Sequence, residues 1–333
     1  MPTEFELIDD IRRTLGGNRQ GPHGIGHDGV LLMPDDGTCV VLDSMVEHIH
    51  FERHFSSWQD VGYKLVARNV SDIHAMGATP TAFLLALVLP EPALGAPLVA
   101  GIRQAVAALC PDAACIGGDT TRSPGPAMLS MTMFGRLAGT PWSRASASPG
   151  DGVYLQAPTG WAAAGLALLQ HQVGTHALPN PLPNPVPDPS RSTTGSHLPD
   201  SLADAATRAI AHHRRPPIRP VQFSGGAPDR VACIDVSDGL AADLLHICRA
   251  SGVTIDIEHL PADPSLDALA RAVGASADPW RWSGGDDYAK VVCAPCAPID
   301  ADGRPWPQIG GVFAGPARLT GAVPADSEGF RHF

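Results

Sequence analysis

Aspartate and glycine recur together at the ends of apolar, strand-like runs along this chain. Six such segments occur, at 24–28, 42–43, 69–72, 117–121, 234–239 and 283–287. One Asp–Gly segment is ordinarily a turn or a helix cap, whereas six predict carboxylates that converge on one cleft. Clustered carboxylates repel one another unless cations neutralise them, and hard oxygen ligands suit Mg²⁺ or Mn²⁺. Glycines also let backbone N–H groups approach phosphate oxygens. The pattern therefore predicts a phosphate site that uses several metal ions.

The elements between these segments predict an α+β fold with two domains. In the first half the periodicity predicts helices at 4–15, 57–77 and 96–109, and strands at 29–33, 38–42, 82–89, 128–137 and a short one ending at 116. In the second half it predicts helices at 160–170, 239–250 and 264–273, and strands at 152–156, 231–235, 253–258 and 288–293. A polar, turn-rich joint at 139–150 separates the halves. We expect domains at 1–138 and 148–333.

Residues 172–230 interrupt this alternation of strands and helices. Between Pro179 and Pro189, six of eleven residues are proline, at every second position. That spacing excludes a helix or a strand ladder and predicts an extended, solvated loop. We interpret 172–230 as a surface insertion in the second domain.

Charge and cysteine content narrow the function classes. The 333 residues include 23 Lys and Arg against 34 Asp and Glu, a net charge of −11, which argues against a nucleic-acid-binding surface. Lys64 and Lys290 are the two lysines, and the other basic residues are arginine. The seven cysteines contain one CxxC pair, so buried free thiols are a better interpretation than a structural zinc. The start of the chain lacks a signal-peptide pattern, and the apolar run 82–89 is too short to span a bilayer. We expect a cytoplasmic protein that does not enter a membrane.

The sequence was compared with other motifs that bind nucleotides or metals, and most of them are absent. The chain has no GxxxxGK[ST] sequence and no protein-kinase motif set. Residues 24–29 match GxGxxG, but a strand-like run follows where a dinucleotide-binding fold needs a helix. His48 and His50 could place two imidazoles on one face of a strand, as in zinc hydrolases, although ordinary histidines are the more frequent explanation of such a pair.

Three motifs, in order, resemble those of the thiamine-monophosphate kinase family. They are DVGYKLVARNVSDIHAMGATP at 60–80, IGGDTTRS at 116–123 and IDVSDGLAADLLHI at 234–247, with further matches at 24–32, 43–51, 149–154 and 283–288. The family shares a superfamily with aminoimidazole ribonucleotide synthetase and selenophosphate synthetase. The resemblance implies ATP-dependent phosphorylation of thiamine monophosphate by direct in-line transfer with Mg²⁺. It also implies a homodimer whose N-terminal sheets pair into a barrel, and a C-terminal α/β-sandwich-like domain.

The resemblance further implies roles for individual residues of this chain. Metal positions are Asp28, Leu42, Asp43, Asp72, Asp119, Asp235 and Asp238, of which Asp72, Asp119 and Asp238 are expected to be catalytic. ATP-binding positions are Gly118, Asp119, Arg144 and Ser237. Substrate-binding positions are His50, Asp286 and Ser327.

This chain departs from the family pattern at several of these positions. His27 stands where the family usually has aspartate, Val41 and Leu42 replace two hydroxyl residues, and Asp286 replaces glutamate. Ser327 stands where the family has an aromatic residue, for which Phe330 or Trp306 are candidate substitutes. These departures leave two alternatives open: a related enzyme that phosphorylates or activates another small acceptor, and a catalytically dead binding protein. The His48 and His50 pair leaves a third, a zinc hydrolase of a different class.

Overall fold

The computed structural model of this chain describes residues 30–33, 37–170, 202–324 and Ser327. The predicted helix at 4–15, Asp28 and the proline-rich stretch 179–189 lie outside the described residues. The described part contains two β-sheets with helices packed against them, which confirms the predicted α+β class.

The first sheet comes from the N-terminal half of the chain. Its strands are β1 (Val30–Met33), β2 (Thr38–Val46), β3 (Ala78–Leu89), β4 (Ala114–Arg122) and β5 (Met128–Leu137). They lie in the order β1-β2-β5-β3-β4, and only the pair β3 and β4 is parallel. Burial alternates along β5, where Leu129, Met131 and Met133 are buried. One face of this sheet therefore packs against the core, and the other does not.

Two helices cover that inner face in layers. Helix α1 (Trp58–Ala75) packs on the sheet, and α2 (Gly95–Leu109), which follows a 3₁₀ turn at Pro92–Leu94, packs on α1. A capping box begins α1: Ser57 accepts the Asp60 N–H, and the Asp60 side chain accepts the Ser57 N–H. A Cβ on Gly101 would lie 1.9 Å from the Gln59 carbonyl oxygen, so the two helices cross with no room for a side chain there.

The second sheet comes from the C-terminal half. Its strands are β6 (Gly152–Leu155), β7 (Ala232–Asp235), β8 (Thr254–Ile257), β9 (Lys290–Ala294), β10 (Gln308–Phe313) and β11 (Arg318–Gly321), in the order β11-β8-β10-β6-β9-β7. The accompanying helices are α3 (Trp161–Gln170), α4 (Ala203–Arg214), α5 (Leu240–Ser251), α6 (Pro264–Ala272) and α7 (Asp278–Ser283). Every residue of β6, β7 and β9 is buried, because both faces of these strands are covered.

Helix α1 joins the two halves through its C-terminal end. Ala75 packs in one cluster with Trp142 and with the β9 residue Val292, while Leu65 and Ile73 of the same helix belong to the first core. Side chains from α1 therefore reach both sheets, and the space between the sheets is lined by this helix.

Several predictions about local structure differ from the observed elements, and two differ most. The strand expected to end at 116 continues to Arg122, because β4 pairs with β3 along its length, so Gly118 and Asp119 lie within a strand. The expected insertion at 172–230 contains helix α4, whose Ala206, Ala209 and Ile210 pack against α3 at helical spacing.

Free thiols are confirmed at all seven cysteines, five of which are buried. Of the helices in the described part, the stretch Pro92–Leu109 is long and apolar enough to cross a membrane by length and composition alone. In this fold its Leu98, Ile102 and Ala105 lie in the first core.

Candidate functional site

A polar side chain occurs at every fourth position along one face of α1. Asp60, Lys64, Arg68 and Asp72 share this face, because residues four apart lie above one another on a helix. Asp60 accepts a hydrogen bond from Arg215 (2.5 Å), and Lys64 donates to Asp286 (2.7 Å). The helix therefore presents one charged stripe to the space between the sheets.

A cleft of about 830 Å³ opens along this stripe. Nine of the predicted site positions line it, from both halves of the chain: Leu42, Asp43, His50, Asp72, Arg144, Asp235, Ser237, Asp238 and Asp286. The convergence expected from the Asp–Gly pattern is therefore present in the structure for these positions.

The other predicted positions that the structure describes do not line this cleft. Gly118 and Asp119 lie on β4, where every residue is exposed. Ser327 follows β11, and its N–H donates to the Pro324 carbonyl oxygen (3.2 Å). Of the candidate aromatic substitutes, Trp306 is buried in the same cluster as Trp142, and Phe330, like Asp28, lies outside the described residues.

Asp119 and Asp43 are also far apart within one chain. The strand register pairs Asp43 with Met131, Met131 with Leu85, and Leu85 with Gly118. Three strand spacings of about 4.8 Å place the two aspartates on the order of 14 Å apart. They cannot hold one ion together within a single chain.

One wall of the cleft pairs carboxylates with fixed cations. Arg68 donates to both oxygens of Asp43, with Nε and Nη2 at 3.1 and 3.2 Å. Asp286 accepts from Lys64 and from the Tyr288 hydroxyl (2.7 Å), and its backbone φ is +65°. Burial acts to raise the pKa of Asp286, but the charges of Lys64 and Arg68 outweigh it and hold that pKa below its usual range.

A third carboxylate of the cleft, Asp235, is linked through Ser71 to a buried lysine. Asp235, at the end of β7, accepts a short hydrogen bond from Ser71 of α1. Lys290 is fully buried and donates to Ser71 Oγ (2.7 Å) and to the Tyr288 carbonyl oxygen (2.9 Å). A buried ammonium needs compensating partners, and Ser71 is one of them. Since Ser71 belongs to α1 and also donates to Asp235, these contacts fix Asp235 relative to α1.

Asp238 lies at the start of α5 beside two further ligand-type side chains. Ligand atoms of Asp238, Asp243 and His246 lie within 4.8 Å of one another. Asp243 also accepts the backbone N–H groups of Asp238 and Gly239 (3.2 and 3.1 Å). Burial, and then the charges of Asp238 and Asp235, raise the pKa of Asp243. Oxygen and nitrogen donors at this spacing fit one divalent cation. Such a cation would also relieve the repulsion between the carboxylates of Asp238, Asp243 and Asp235.

The two aspartates of the 283–287 segment have different environments. Gly285 lets this loop approach Ser237, since a Cβ there would lie 2.3 Å from the Ser237 carbonyl oxygen. Asp286 faces the cleft, whereas Asp287 accepts the N–H groups of Gly160 and Ala162 where α3 begins. Burial raises the pKa of Asp287 to about 7. Asp287 therefore caps a helix, whereas Asp286, which is paired with Lys64 and Tyr288, faces the cleft.

The structure contradicts the expected arrangement of His48 and His50 on a strand. Strand β2 ends at Val46, and His48 adopts a φ of +72° in the turn that follows. His48 Nδ1 lies 3.1 Å from the Glu52 carboxylate, while His50 Nδ1 accepts the Val46 N–H (3.1 Å). The imidazoles do not share a strand face, and the group of metal-ligand side chains found among the described residues is the one around Asp238.

Five residues in or behind the cleft wall were not expected from the sequence. Arg68 and Tyr288 line the cleft, and hydrogen bonds link Lys64, Ser71 and Lys290 to its carboxylates from behind. For Lys64 and Lys290 the sequence did contain a signal, since they are the only two lysines of the chain. Both lie buried behind cleft carboxylates. The others have no distinguishing pattern, since their partners come from distant segments.

Comparison with known proteins gives the family. A model described as AIR synthase related protein, N-terminal domain, matches residues 26–137. Thiamine-monophosphate kinase of Mycobacterium tuberculosis (strain ATCC 25618 / H37Rv) is 35% identical over 330 residues, 95% of this chain and 86% of the relative. The Salmonella typhimurium enzyme of that name is 35% identical over 280 residues, 82% of this chain and 76% of the relative.

Solved structures agree with these relatives. AaThiL complexed with AMPPCP and TMP has a TM-score of 0.75 at 25% identity, and covers 99% of this chain and 97% of its own. Thiamine-monophosphate kinase from Stenotrophomonas maltophilia K279a has a TM-score of 0.64 at 29% identity, with 97% of both chains covered. Together with the motifs and the cleft, these similarities show that the chain belongs to the thiamine-monophosphate kinase family.

Proposed function

We propose that this protein transfers the γ-phosphoryl group of ATP to thiamine monophosphate, forming thiamine diphosphate and ADP. The observation that carries the proposal is the cleft itself, in which Asp72, Asp235 and Asp238 from two halves of the chain face one space with Arg144 and Ser237. The relatives of the same family support the choice of substrates, because their names state this activity.

The chemistry needs charge screening more than a strong base. The acceptor is a phosphate monoester oxygen that is already ionised near neutral pH, so the main barrier is the approach of two polyanions. Asp72, Asp235 and Asp238, with Asp243 and His246 beside the last, are the residues that would hold Mg²⁺. Bound Mg²⁺ supplies charge neutralisation to the transferring phosphoryl group.

The protein's own groups bind and orient the two substrates. We assign Arg144 and Ser237 to the nucleotide, since a guanidinium and the residues before a helix N-terminus both favour phosphate. His50 and Asp286, on the wall that contains Lys64, are assigned to the acceptor. Both substrates are charged and water-soluble, and we place the reaction in the cytoplasm.

A turnover assay tests the function. Purified protein with ATP, thiamine monophosphate and Mg²⁺ is expected to give ADP and thiamine diphosphate in equal amounts, measured by chromatography, and no product after removal of divalent ions. A panel of other phosphate monoesters, together with unphosphorylated thiamine, measures acceptor choice. Absence of thiamine diphosphate from a protein that binds a non-hydrolysable ATP analogue would contradict the proposal, and turnover of another monoester would favour the related-enzyme alternative.

We also propose that the active form is a homodimer that pairs the first sheets of two chains. Strand β4 is an exposed edge of nine residues, and long exposed edges are normally covered. Ile116 on β4 and Leu42 on β2 are 60% and 64% exposed, which fits a buried interface better than a free surface. Because Asp119 lies outside the cleft of its own chain, a metal role for it requires the cleft of a partner.

Mixed dimers test this arrangement. Asp72→Asn and Asp119→Asn chains are each expected to be inactive, whereas co-expressed chains regain roughly a quarter of wild-type activity, since half of the dimers are mixed and one of their two sites is intact. Sedimentation velocity is expected to give twice the chain mass of 34.7 kDa. A monomer, or an Asp119→Asn chain with full activity, would refute the shared site.

A further inference from the structure

Asp43 forms a salt bridge with Arg68 inside the cleft. Both of its carboxylate oxygens accept hydrogen bonds from Arg68, in the two-pronged geometry that a guanidinium and a carboxylate favour. The Arg68 side chain is only 12% exposed, and α1 on one side and β2 on the other fix its two ends. A divalent ion at Asp43 would have to displace this buried guanidinium from both oxygens.

The charges on this wall of the cleft are already balanced. Two carboxylates, Asp43 and Asp286, face two cations, Arg68 and Lys64, and Tyr288 donates its hydroxyl to Asp286. Arg68 also lies close enough to Asp286 to interact with its charge, in addition to that of Asp43. The two carboxylates therefore need no further counter-ion. A divalent cation is drawn to uncompensated negative charge, and this wall offers none.

The Asp238 end of the cleft has more ligand-type side chains. Asp235, Asp238 and Asp243 lie close together there, and His246 adds a ligand nitrogen beside Asp238. Burial and the charges of Asp238 and Asp235 raise the pKa of Asp243, although Arg144 acts to lower it. Three carboxylates and an imidazole are a donor set that suits a divalent ion, whereas the two carboxylates of the Asp43 wall are each paired with a cation.

Leu42, the residue before Asp43, offers no ligand atom to a metal ion. Its side chain is 64% exposed and lines the cleft, but it is a hydrocarbon and has no atom that can coordinate a metal. Mg²⁺ needs several oxygen ligands around it. The Asp43 end thus lacks both a free carboxylate and a neighbouring donor side chain on β2.

We propose that the Arg68 guanidinium takes the place of a divalent cation at Asp43, so that the metal ions of this cleft are confined to the end formed by Asp72, Asp235 and Asp238. This inference rests on the proposed metal-dependent phosphoryl transfer. Arg68 supplies one fixed positive charge that cannot be removed by a chelator, and its remaining N–H groups are suited to a phosphate oxygen.

Counting bound ions tests the proposal directly. Mn²⁺ bound per chain is measured by electron paramagnetic resonance, with a non-hydrolysable ATP analogue present, in wild type and variants. We expect Arg68→Gln, which frees Asp43, to bind one more Mn²⁺ than wild type. Arg68→Lys, which keeps the positive charge, and Arg103→Gln, which removes an exposed guanidinium on α2, are expected to match wild type. Adding Asp43→Asn to Arg68→Gln is expected to remove the extra ion.

Two results would overturn the proposal. One is an Arg68→Gln variant that folds, by circular dichroism, and binds the same number of ions as wild type. The other does not depend on that variant folding: loss of one Mn²⁺ in Asp43→Asn alone would show that Asp43 already holds an ion. A wild-type protein that forms no thiamine diphosphate would instead refute the proposed function, and its ion count would still be measured independently.

Discussion

Asp72→Asn is expected to lower kcat by about 100-fold or more, because loss of one metal-screening carboxylate removes several kcal/mol of charge stabilisation and each 1.4 kcal/mol is tenfold in rate. Asp72 lines the cleft near the end of α1, and asparagine keeps its size and shape. We therefore expect the melting temperature to stay within a few degrees of wild type. Steady-state kinetics at several Mg²⁺ concentrations, with calorimetry on the same samples, measure both effects.

The Mg²⁺ dependence separates a metal role from a structural one. If Asp72 screens charge through a bound ion, the variant needs more Mg²⁺ for half-maximal rate, whereas a misfolded variant loses rate without a change in that concentration. Asp112→Asn is the matched control, because Asp112 is exposed and does not line the cleft. Full activity in Asp72→Asn would count against the assigned site.

Lys64→Met is expected to lower the free energy of unfolding and weaken acceptor binding. Lys64 is buried, and its partner Asp286 is 31% exposed, so the variant leaves a carboxylate without its nearest cation. A fully buried pair broken in this way costs about 3–5 kcal/mol, and the partial exposure of Asp286 lowers our expectation to about 2 kcal/mol. Urea denaturation measures this loss, and the KM for the acceptor is expected to rise.

The stability difference between wild type and Lys64→Met depends on pH in a defined direction. The cations around Asp286 hold its pKa below the usual range in the folded protein. A depressed carboxyl pKa stabilises the folded state above the unfolded pKa of about 3.9, and this contribution is lost as the pH falls through the folded value. We therefore expect the full difference near pH 7 and a smaller one below pH of about 4.

A double variant shows whether the pair itself is responsible. Asp286→Asn added to Lys64→Met removes the uncompensated charge, so part of the lost stability is expected to return. Arg103→Met, on the exposed side of α2, controls for loss of a basic residue and is expected to match wild type. Simple additivity of the two single changes would show that Lys64 and Asp286 are not coupled.

Local signals in the sequence predicted much of the fold. The capping box at Ser57 and Asp60 fixes where α1 begins, and the alternation of apolar residues predicts β5 at its observed bounds. Helix α4 was missed because its proline-rich neighbourhood obscured a short helical period at Ala206, Ala209 and Ile210. Strand β4 was predicted too short, because glycine and aspartate at 117–119 are typical of turns and only pairing with β3 keeps them extended.

For the candidate site too, the sequence predicted some features and missed others. Aspartates and glycines at strand ends were visible in the sequence as chemistry, and nine predicted positions line one cleft. Lys64 and Lys290 were visible as the only lysines, but their partners were not, because Asp286 and Ser71 lie 222 and 219 residues away along the chain. Contacts over such distances depend on how the two sheets pack around α1.

The sequence by itself determined which chemical groups are at hand: carboxylates in number, glycines beside them, and no P-loop motif. Those properties follow from residue type and local spacing. The tertiary structure alone decided which cations and which ligand-type side chains lie beside each carboxylate. Asp43 is bound by Arg68 and Asp286 by Lys64, whereas Asp238 lies beside Asp243 and His246. The physical reason is that an aspartate's charge balance depends on the side chains that folding brings within a few ångströms of it.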